Sequence, residues 1–108
     1  MNASATGLRI AVADDEPEMR QFFQELLPAT GHQVVGIVET GRQLVECCRL
    51  HRPDLVITDI KMPDMDGIEA AAVVNRERTV PVVLVSGHIE RELLARCGAE
   101  YSRWKTAS

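Results

Sequence analysis

The sequence predicts a single α/β domain, a doubly wound parallel sheet with helices on both faces. Short apolar runs alternate along the chain with segments whose apolar residues recur at helical spacing. This alternation indicates right-handed crossovers between parallel strands. Polar residues directly follow three of the apolar runs, and parallel strands end along one edge of a sheet. A length of 108 residues fits one domain with a modest core.

The first strand and helix are predicted from an apolar run followed by an acidic turn. Residues 8–13 have the composition of a strand buried on both faces. We expect Asp15 to cap the next helix, which begins near Pro17. Pro28 and Gly31 are expected to end this helix. Its apolar stripe consists of Met19, Phe22, Phe23, Leu26 and Leu27.

The second strand and helix follow the same scheme. Residues 34–38 form the predicted strand, and Thr40 and Gly41 open a helix that ends at residues 52–54. The inward face of this helix is predicted to hold Leu44, Val45, Cys48 and Leu50. Residues 55–58 then form a third strand.

The second half of the chain continues the alternation. A loop from Asp59 to Gly67 leads into a helix, and residues 75–79 connect it to a fourth strand at residues 80–85. That helix is predicted to run through Ile68, Ala71, Ala72 and Val74. Residues 89–97 are predicted to form a fourth helix, with a glycine as its C-terminal cap.

Composition and charge exclude several function classes. The net charge of −4 argues against direct binding to nucleic acid or to an anionic membrane. The cysteines Cys47, Cys48 and Cys97 have neither a disulfide framework nor the spacing of a zinc site, which predicts reduced thiols. The sequence shows no signal peptide and no apolar run of membrane-spanning length. We therefore expect a cytoplasmic protein.

Polar residues that follow three predicted strands form the candidate site. Asp14 and Asp15 follow the first strand, Asp59 the third and Ser86 the fourth. Carboxylates crowded at one sheet edge repel each other, and a hard divalent cation such as Mg²⁺ would neutralise them. A carboxylate nucleophile beside a metal ion and a hydroxyl suits phosphoryl transfer.

These residues resemble the receiver domain of two-component response regulators. The resemblance rests on the acidic pair Asp14 and Asp15, on Asp59 followed by the Met-Pro-x-Met-Asp-Gly turn of residues 62–67, and on Ser86. It extends from about residue 8 to residue 99. It implies a flavodoxin-like sheet of five parallel strands in the order 2-1-3-4-5.

The resemblance also implies a role for each site residue. Asp59 would be phosphorylated by a histidine kinase or phosphotransfer protein. Asp15 and Asp59 would bind Mg²⁺ directly, Asp14 would act through water, and the Lys61 main-chain carbonyl would be a further ligand. Ser86 would contact the phosphoryl group. Such a domain switches the binding of partners and is not counted as an enzyme.

The C-terminal end departs from the family pattern. Lys105 keeps the spacing of the lysine that follows the fifth strand, but its surroundings differ from the family motif. We expect a disordered start at residues 1–7 and a receiver domain at residues 8–108 that is incomplete after about residue 99, without the fifth helix. The apolar face so exposed predicts a homodimer, an exchanged element, or a cover made by Tyr101 and Trp104.

Two other functions stay open from the sequence. One is a receiver-like interaction module that has lost switching, because the fifth helix is missing and the role of Lys105 is open. The other is a phosphatase with an aspartate nucleophile, since residues 64–67 match an Asp-x-Asp-Gly motif. That motif needs its first aspartate directly after a strand, and here three residues, 61–63, precede it.

Overall fold

A computed structural model of the chain describes residues 7–85. Its elements in chain order are β1 (Arg9–Ala13), α1 (Pro17–Ala29), β2 (Gln33–Val38), α2 (Gly41–His51), β3 (Leu55–Asp59), α3 (Gly67–Glu77) and β4 (Val82–Val85). The strands are all parallel and lie in the order β2-β1-β3-β4. The predicted α/β class is therefore confirmed.

Two apolar clusters cover the two faces of the sheet, because successive β1 side chains point to opposite faces. Ile10 and Val12 of β1 pack with α1 through its predicted stripe, in which Met19, Phe22, Phe23 and Leu27 are buried and Leu26 is half-buried. Ala11 and Ala13 pack on the other face. That second cluster also contains Leu44, Val45 and Cys47 of α2 and Ala70 and Val74 of α3.

The prediction that Leu50 faces inward is wrong, since its side chain is 77% exposed. Cys47 takes an inward position instead and is buried. At about 100° per residue, position 50 lies roughly 240° around the helix from Leu44 and so points to solvent. Cys48 is half-buried, as expected for the edge of the inward face.

The expected cap of α1 is also wrong. Glu16 is the N-cap residue, and no side chain caps the helix from that position. The Asp14 side chain binds the turn before α1, because its Oδ1 accepts a hydrogen bond from the Glu16 N–H at 2.8 Å. The cap of α2 is confirmed, since the Thr40 hydroxyl accepts a hydrogen bond from the Gln43 N–H at 3.1 Å.

Several predictions concern parts of the chain outside the described residues. They are the disorder of residues 1–6, the fourth helix, the fifth strand and the absence of a fifth helix. Among residues 7–85, no helix has the length and apolar character needed to cross a membrane.

Candidate functional site

Three aspartates meet at the carboxyl edge of the sheet. Asp59 is the last residue of β3, and Asp14 and Asp15 directly follow β1. The two strands are neighbours, with Ala13 paired to Thr58. Adjacent strand ends therefore bring side chains 45 positions apart into one cluster, in which carboxylate oxygens of all three aspartates lie within 4.8 Å of one another.

Burial distinguishes this cluster from ordinary surface acids. Asp14 is 2% exposed and Asp59 is 5% exposed, whereas Asp15 is exposed. Carboxylates this close to each other and this far from water repel, because the surrounding dielectric screens them poorly. The metal-ligand atoms that the cluster offers are all carboxylate oxygens, which hard cations such as Mg²⁺ prefer. The residues present therefore fit a divalent cation.

Asp14 is positioned by hydrogen bonds from three directions. Its N–H donates to the Val38 carbonyl at 3.0 Å, and its side chain accepts from Glu16 as described above. Its own carbonyl accepts from Nη1 of Arg20 at 2.9 Å. The Arg20 side chain is largely buried, and its Nη2 lies 3.8 Å from Glu39. The strand end that carries Asp14 is thus tied to α1 and β2.

Sequence reasoning missed Arg20 as a residue of the site. The available signal was a cation in the first turns of the helix that follows the acidic pair, within reach of the strand end. That signal does not say which carbonyl the guanidinium contacts, so the structure is needed to find it.

The backbone of Asp59 is in close contact with the start of α3. The Gly67 N–H donates to the Ile60 carbonyl at 2.7 Å, and a Cβ at position 67 would overlap the Asp59 carbonyl oxygen. Glycine is therefore required here by the close approach of two backbones. The Thr58 hydroxyl donates to the same Asp59 carbonyl at 3.0 Å, so a side chain of β3 also holds this carbonyl oxygen.

The loop between Asp59 and α3 is also held by the start of α2. The Gly41 N–H donates to the Met65 carbonyl at 3.0 Å. Arg42 binds both carboxylate oxygens of Asp64, with Nε to Oδ2 at 2.6 Å and Nη2 to Oδ1 at 3.3 Å. This hydrogen-bonded guanidinium lowers the pKa of Asp64.

The two aspartates of the loop serve the turn and not the acidic cluster. Asp64 has a φ of 75° and is bound by Arg42. Asp66 caps α3, with its Oδ1 accepting from the Glu69 N–H at 2.8 Å, and Glu69 completes a reciprocal capping box. This observation opposes the hypothesis of a phosphatase with an Asp-x-Asp-Gly motif, because Asp64 lies in a loop bound to α2 and not at a strand end.

The remaining predicted site residues are Lys61, Ser86 and Lys105, of which the structure describes Lys61. Lys61 lies in the loop after β3 and is exposed, and its main-chain carbonyl stays a predicted metal ligand. The strand β4 ends at Val85, which pairs with Asp59 in register. Ser86 and Lys105 lie outside the described residues, and their roles stay predictions.

Comparisons with known proteins agree with this geometry. The family model for the response regulator receiver domain matches residues 10–100. The receiver domain of the putative response regulator NarL from Mycobacterium tuberculosis has a similar structure. Its TM-score is 0.72 at 34% sequence identity, and the match covers 76% of this chain and 68% of that one.

Two longer curated proteins also match. The transcriptional regulatory protein PdtaR of Mycobacterium tuberculosis is 39% identical over 86% of this chain and 45% of its own length. A protein-glutamate methylesterase/protein-glutamine glutaminase of Mesorhizobium japonicum is 40% identical over 80% of this chain and 26% of its own length. The chain therefore spans less than half of either relative.

Proposed function

The chain belongs to the response regulator receiver domain family, and we propose that it acts as a phosphoacceptor switch with Asp59 as the residue that is phosphorylated. The single observation that supports this most is the cluster of Asp14, Asp15 and Asp59 at one sheet edge. A buried carboxylate at the end of a central strand, beside two others that fit a cation, suits a nucleophile for phosphoryl transfer.

In the proposed reaction, a carboxylate oxygen of Asp59 forms a bond to the phosphorus of the donor as the bond to the donor's leaving group breaks. Asp15 and Asp59 would bind Mg²⁺ directly, with the Lys61 carbonyl as a further ligand and Asp14 acting through water. A magnesium ion held there would neutralise the carboxylates and the phosphoryl oxygens. Hydrogen bonds to Arg20 and Glu16 keep Asp14 in place beside the metal ligands.

Position of the nucleophile matters because the Asp59 carboxylate has to lie in line with the phosphorus–leaving-group bond. The hydrogen bond of Thr58 and the close contact of Gly67 both act on the Asp59 peptide. The adjoining loop is bound to α2 through Gly41 and Arg42. A new phosphoryl group on Asp59 would therefore act on a loop that already contacts two helices, which supports a switching role.

The partner proposed for this reaction is a histidine kinase or a phosphotransfer protein, which donates the phosphoryl group. The chain itself is proposed to be regulatory and not an enzyme. A homodimer, an exchanged element, contacts of Ser86 and Lys105 with the phosphoryl group, and a cytoplasmic location stay predictions.

The test is phosphorylation by a small donor. The full chain is incubated with Mg²⁺ and acetyl phosphate and examined by intact mass spectrometry. We expect an adduct with the mass of one phosphoryl group that is lost in Asp59→Asn. Asp54→Asn is the matched control. Asp54 directly precedes β3, whereas Asp59 is its last residue, so the control makes the same chemical change at the opposite edge of the sheet.

The two variants give clear outcomes. An adduct that persists in Asp59→Asn would refute Asp59 as the acceptor. No adduct in the wild-type chain, with folding verified by circular dichroism, would favour the interaction module that has lost switching. Loss in both variants would show that any change beside β3 disturbs the reaction, which contradicts a specific role of Asp59.

A further inference from the structure

A pocket of about 240 Å³ lies between α2 and α3 at the amino edge of the sheet, opposite the edge that carries the aspartates. Its floor is apolar and consists of Pro53, Val74 and Val80, all of them buried. Cys48 adds a half-buried thiol to the wall. Burial raises the pKa of this thiol to about 11, so it adds no negative charge.

The rim of this pocket carries more positive than negative charge. Arg49 and Glu77 form a forked pair, with Nη2 to Oε2 at 2.6 Å and Nε to Oε1 at 2.9 Å. Nη1 of Arg49 also donates to Glu46 at 2.9 Å, so these three side chains together carry a single negative charge. Arg78 donates two hydrogen bonds to the neutral Pro53 carbonyl and keeps its charge. Arg52 is the second uncompensated cation of the rim. The pocket is therefore locally cationic in a chain whose net charge is −4.

The Arg52 guanidinium makes no hydrogen bond or ion pair with any residue between 7 and 85. It is not needed to cap α2 either. Arg9 already donates to the carbonyls of His51 at 2.8 Å and Arg52 at 3.0 Å, and the Arg52 N–H donates to the Cys48 carbonyl at 2.9 Å. The side chain at position 52 thus has no structural task within the described part of the chain.

The backbone conformation at position 52 is also unusual for an arginine. Arg52 has a φ of 48° and lies in the left-handed region, where helices commonly place glycine because a Cβ is disfavoured there. A strained residue whose side chain supports nothing in the fold motivates a functional hypothesis.

We propose that this pocket binds a small carboxylate that carries an apolar group. The carboxylate would lie between Arg52 and Arg78, since guanidinium groups bind carboxylates through two parallel hydrogen bonds. The apolar group would lie on Pro53, Val74 and Val80. A mostly apolar pocket with a few convergent polar groups is the usual form of a small-molecule site. This site is distinct from the aspartate cluster and does not depend on phosphorylation.

The test is a titration of the full chain, followed by two-dimensional ¹H–¹⁵N NMR. Benzoate is the probe, benzamide is its neutral counterpart, and acetate lacks the apolar group. We expect saturable shift changes with benzoate, centred on Cys48, Arg52 and Val80, with a Kd of about 1 mM for a ligand of this size. Benzamide and acetate should bind at least about 10-fold more weakly.

Arg52→Gly is the decisive variant, because glycine suits the left-handed backbone and should leave the Tm unchanged or higher. We expect a loss of affinity for benzoate of at least about 10-fold. Arg76→Gln is the matched control, since Arg76 is an exposed arginine of the last turn of α3 that does not line the pocket. Its affinity should match that of the wild type.

Three outcomes would overturn the proposal. They are an absence of saturation at about 10 mM benzoate, well above the Kd expected for such a ligand, equal binding of benzamide, and unchanged binding in Arg52→Gly.

Discussion

The two edges of the sheet differ in the sign of their charged side chains and in how deeply these side chains are buried. At the amino edge, arginines contact neutral carbonyls or exposed acids: Arg9 binds the carbonyl groups at the end of α2, and Arg78 binds the Pro53 carbonyl. Arg49 binds both Glu46 and Glu77. Helix C-termini lie at this edge, and cations are favoured there by the helix dipole. Local electrostatics therefore accounts for most of these arginines.

The carboxyl edge has the opposite sign and a different depth. Helix N-termini favour acidic residues, which accounts for Asp66 and Glu69 at the start of α3. It does not account for Asp14 and Asp59, which are buried beside each other with Asp15. Burying like charges together lowers stability unless something neutralises them. Burial, more than the sign of the charge, therefore distinguishes the edge that carries the proposed phosphoacceptor from the opposite edge.

The largest expected effect comes from removing an exposed member of the aspartate cluster. Asp15→Asn should leave the free energy of unfolding within about 0.5 kcal/mol of the wild type, since Asp15 is exposed and bonds nothing in the described fold. Loss of this proposed Mg²⁺ ligand should lower Mg²⁺ affinity and the rate of labelling by acetyl phosphate by roughly 10-fold to 100-fold. Isothermal calorimetry and intact mass spectrometry measure the two quantities, and unchanged values would remove Asp15 from the site.

Two glycines give the next comparison, one at each edge. Gly67→Ala forces a Cβ against the Asp59 carbonyl and should lower stability by about 1–3 kcal/mol. Gly31→Ala places a Cβ at a φ of 93° with open space around it and should lower stability by about 1–2 kcal/mol through backbone strain alone. Urea denaturation measures both losses. The labelling rate of the folded protein should fall only in Gly67→Ala, and equal rates would show that the position of the Asp59 peptide is unimportant.

The aspartate cluster could be predicted from the sequence because two regular features determine it. Apolar runs mark the strands, and parallel strands end at one edge, so Asp14 and Asp59 had to lie together once β1 and β3 were neighbours. Errors arose where position depends on helical phase or on a distant partner. Leu50 points to solvent from α2, and α1 begins at Glu16 without the side-chain cap predicted for Asp15.

The hydrogen-bond partners of Arg9 and Arg20 are not predicted by the sequence. Arg9 reaches carbonyl groups more than 40 positions away, and Arg20 binds the Asp14 carbonyl through the fold and not through a motif. An arginine on a helix or strand edge is also typical of a solvated surface, so composition does not separate the two cases. These contacts follow from the tertiary arrangement alone.

Arg20 and Arg9 provide a third comparison, of smaller effect. Arg20→Gln removes the hydrogen bond to the Asp14 carbonyl and should lower stability by about 1 kcal/mol and Mg²⁺ affinity several-fold. Arg9→Gln removes two carbonyl contacts at the amino edge and should lower stability by about 1–2 kcal/mol without changing Mg²⁺ affinity. Urea denaturation and calorimetry separate the two effects. A lower Mg²⁺ affinity in both variants would mean that the affinity falls because the fold is less stable, and not because the Asp14 carbonyl has lost its hydrogen bond.

The smallest expected effect concerns the exposed ion pairs, one at each edge. Hydrogen bonding to Arg42 lowers the pKa of Asp64 below its ordinary value of 3.8, and Arg49 likewise lowers the pKa of Glu77 below 4.5. A depressed carboxyl pKa contributes stability above the unfolded value and loses it as the pH falls through the folded value. The Tm of Arg42→Gln, and likewise that of Arg49→Gln, should therefore be only slightly below that of the wild type at neutral pH. This difference in Tm should shrink with added salt and disappear when the carboxylate is protonated. Circular dichroism melts across pH and salt measure it, and a gap that persists after protonation would show that the arginine stabilises the fold by packing and not by charge.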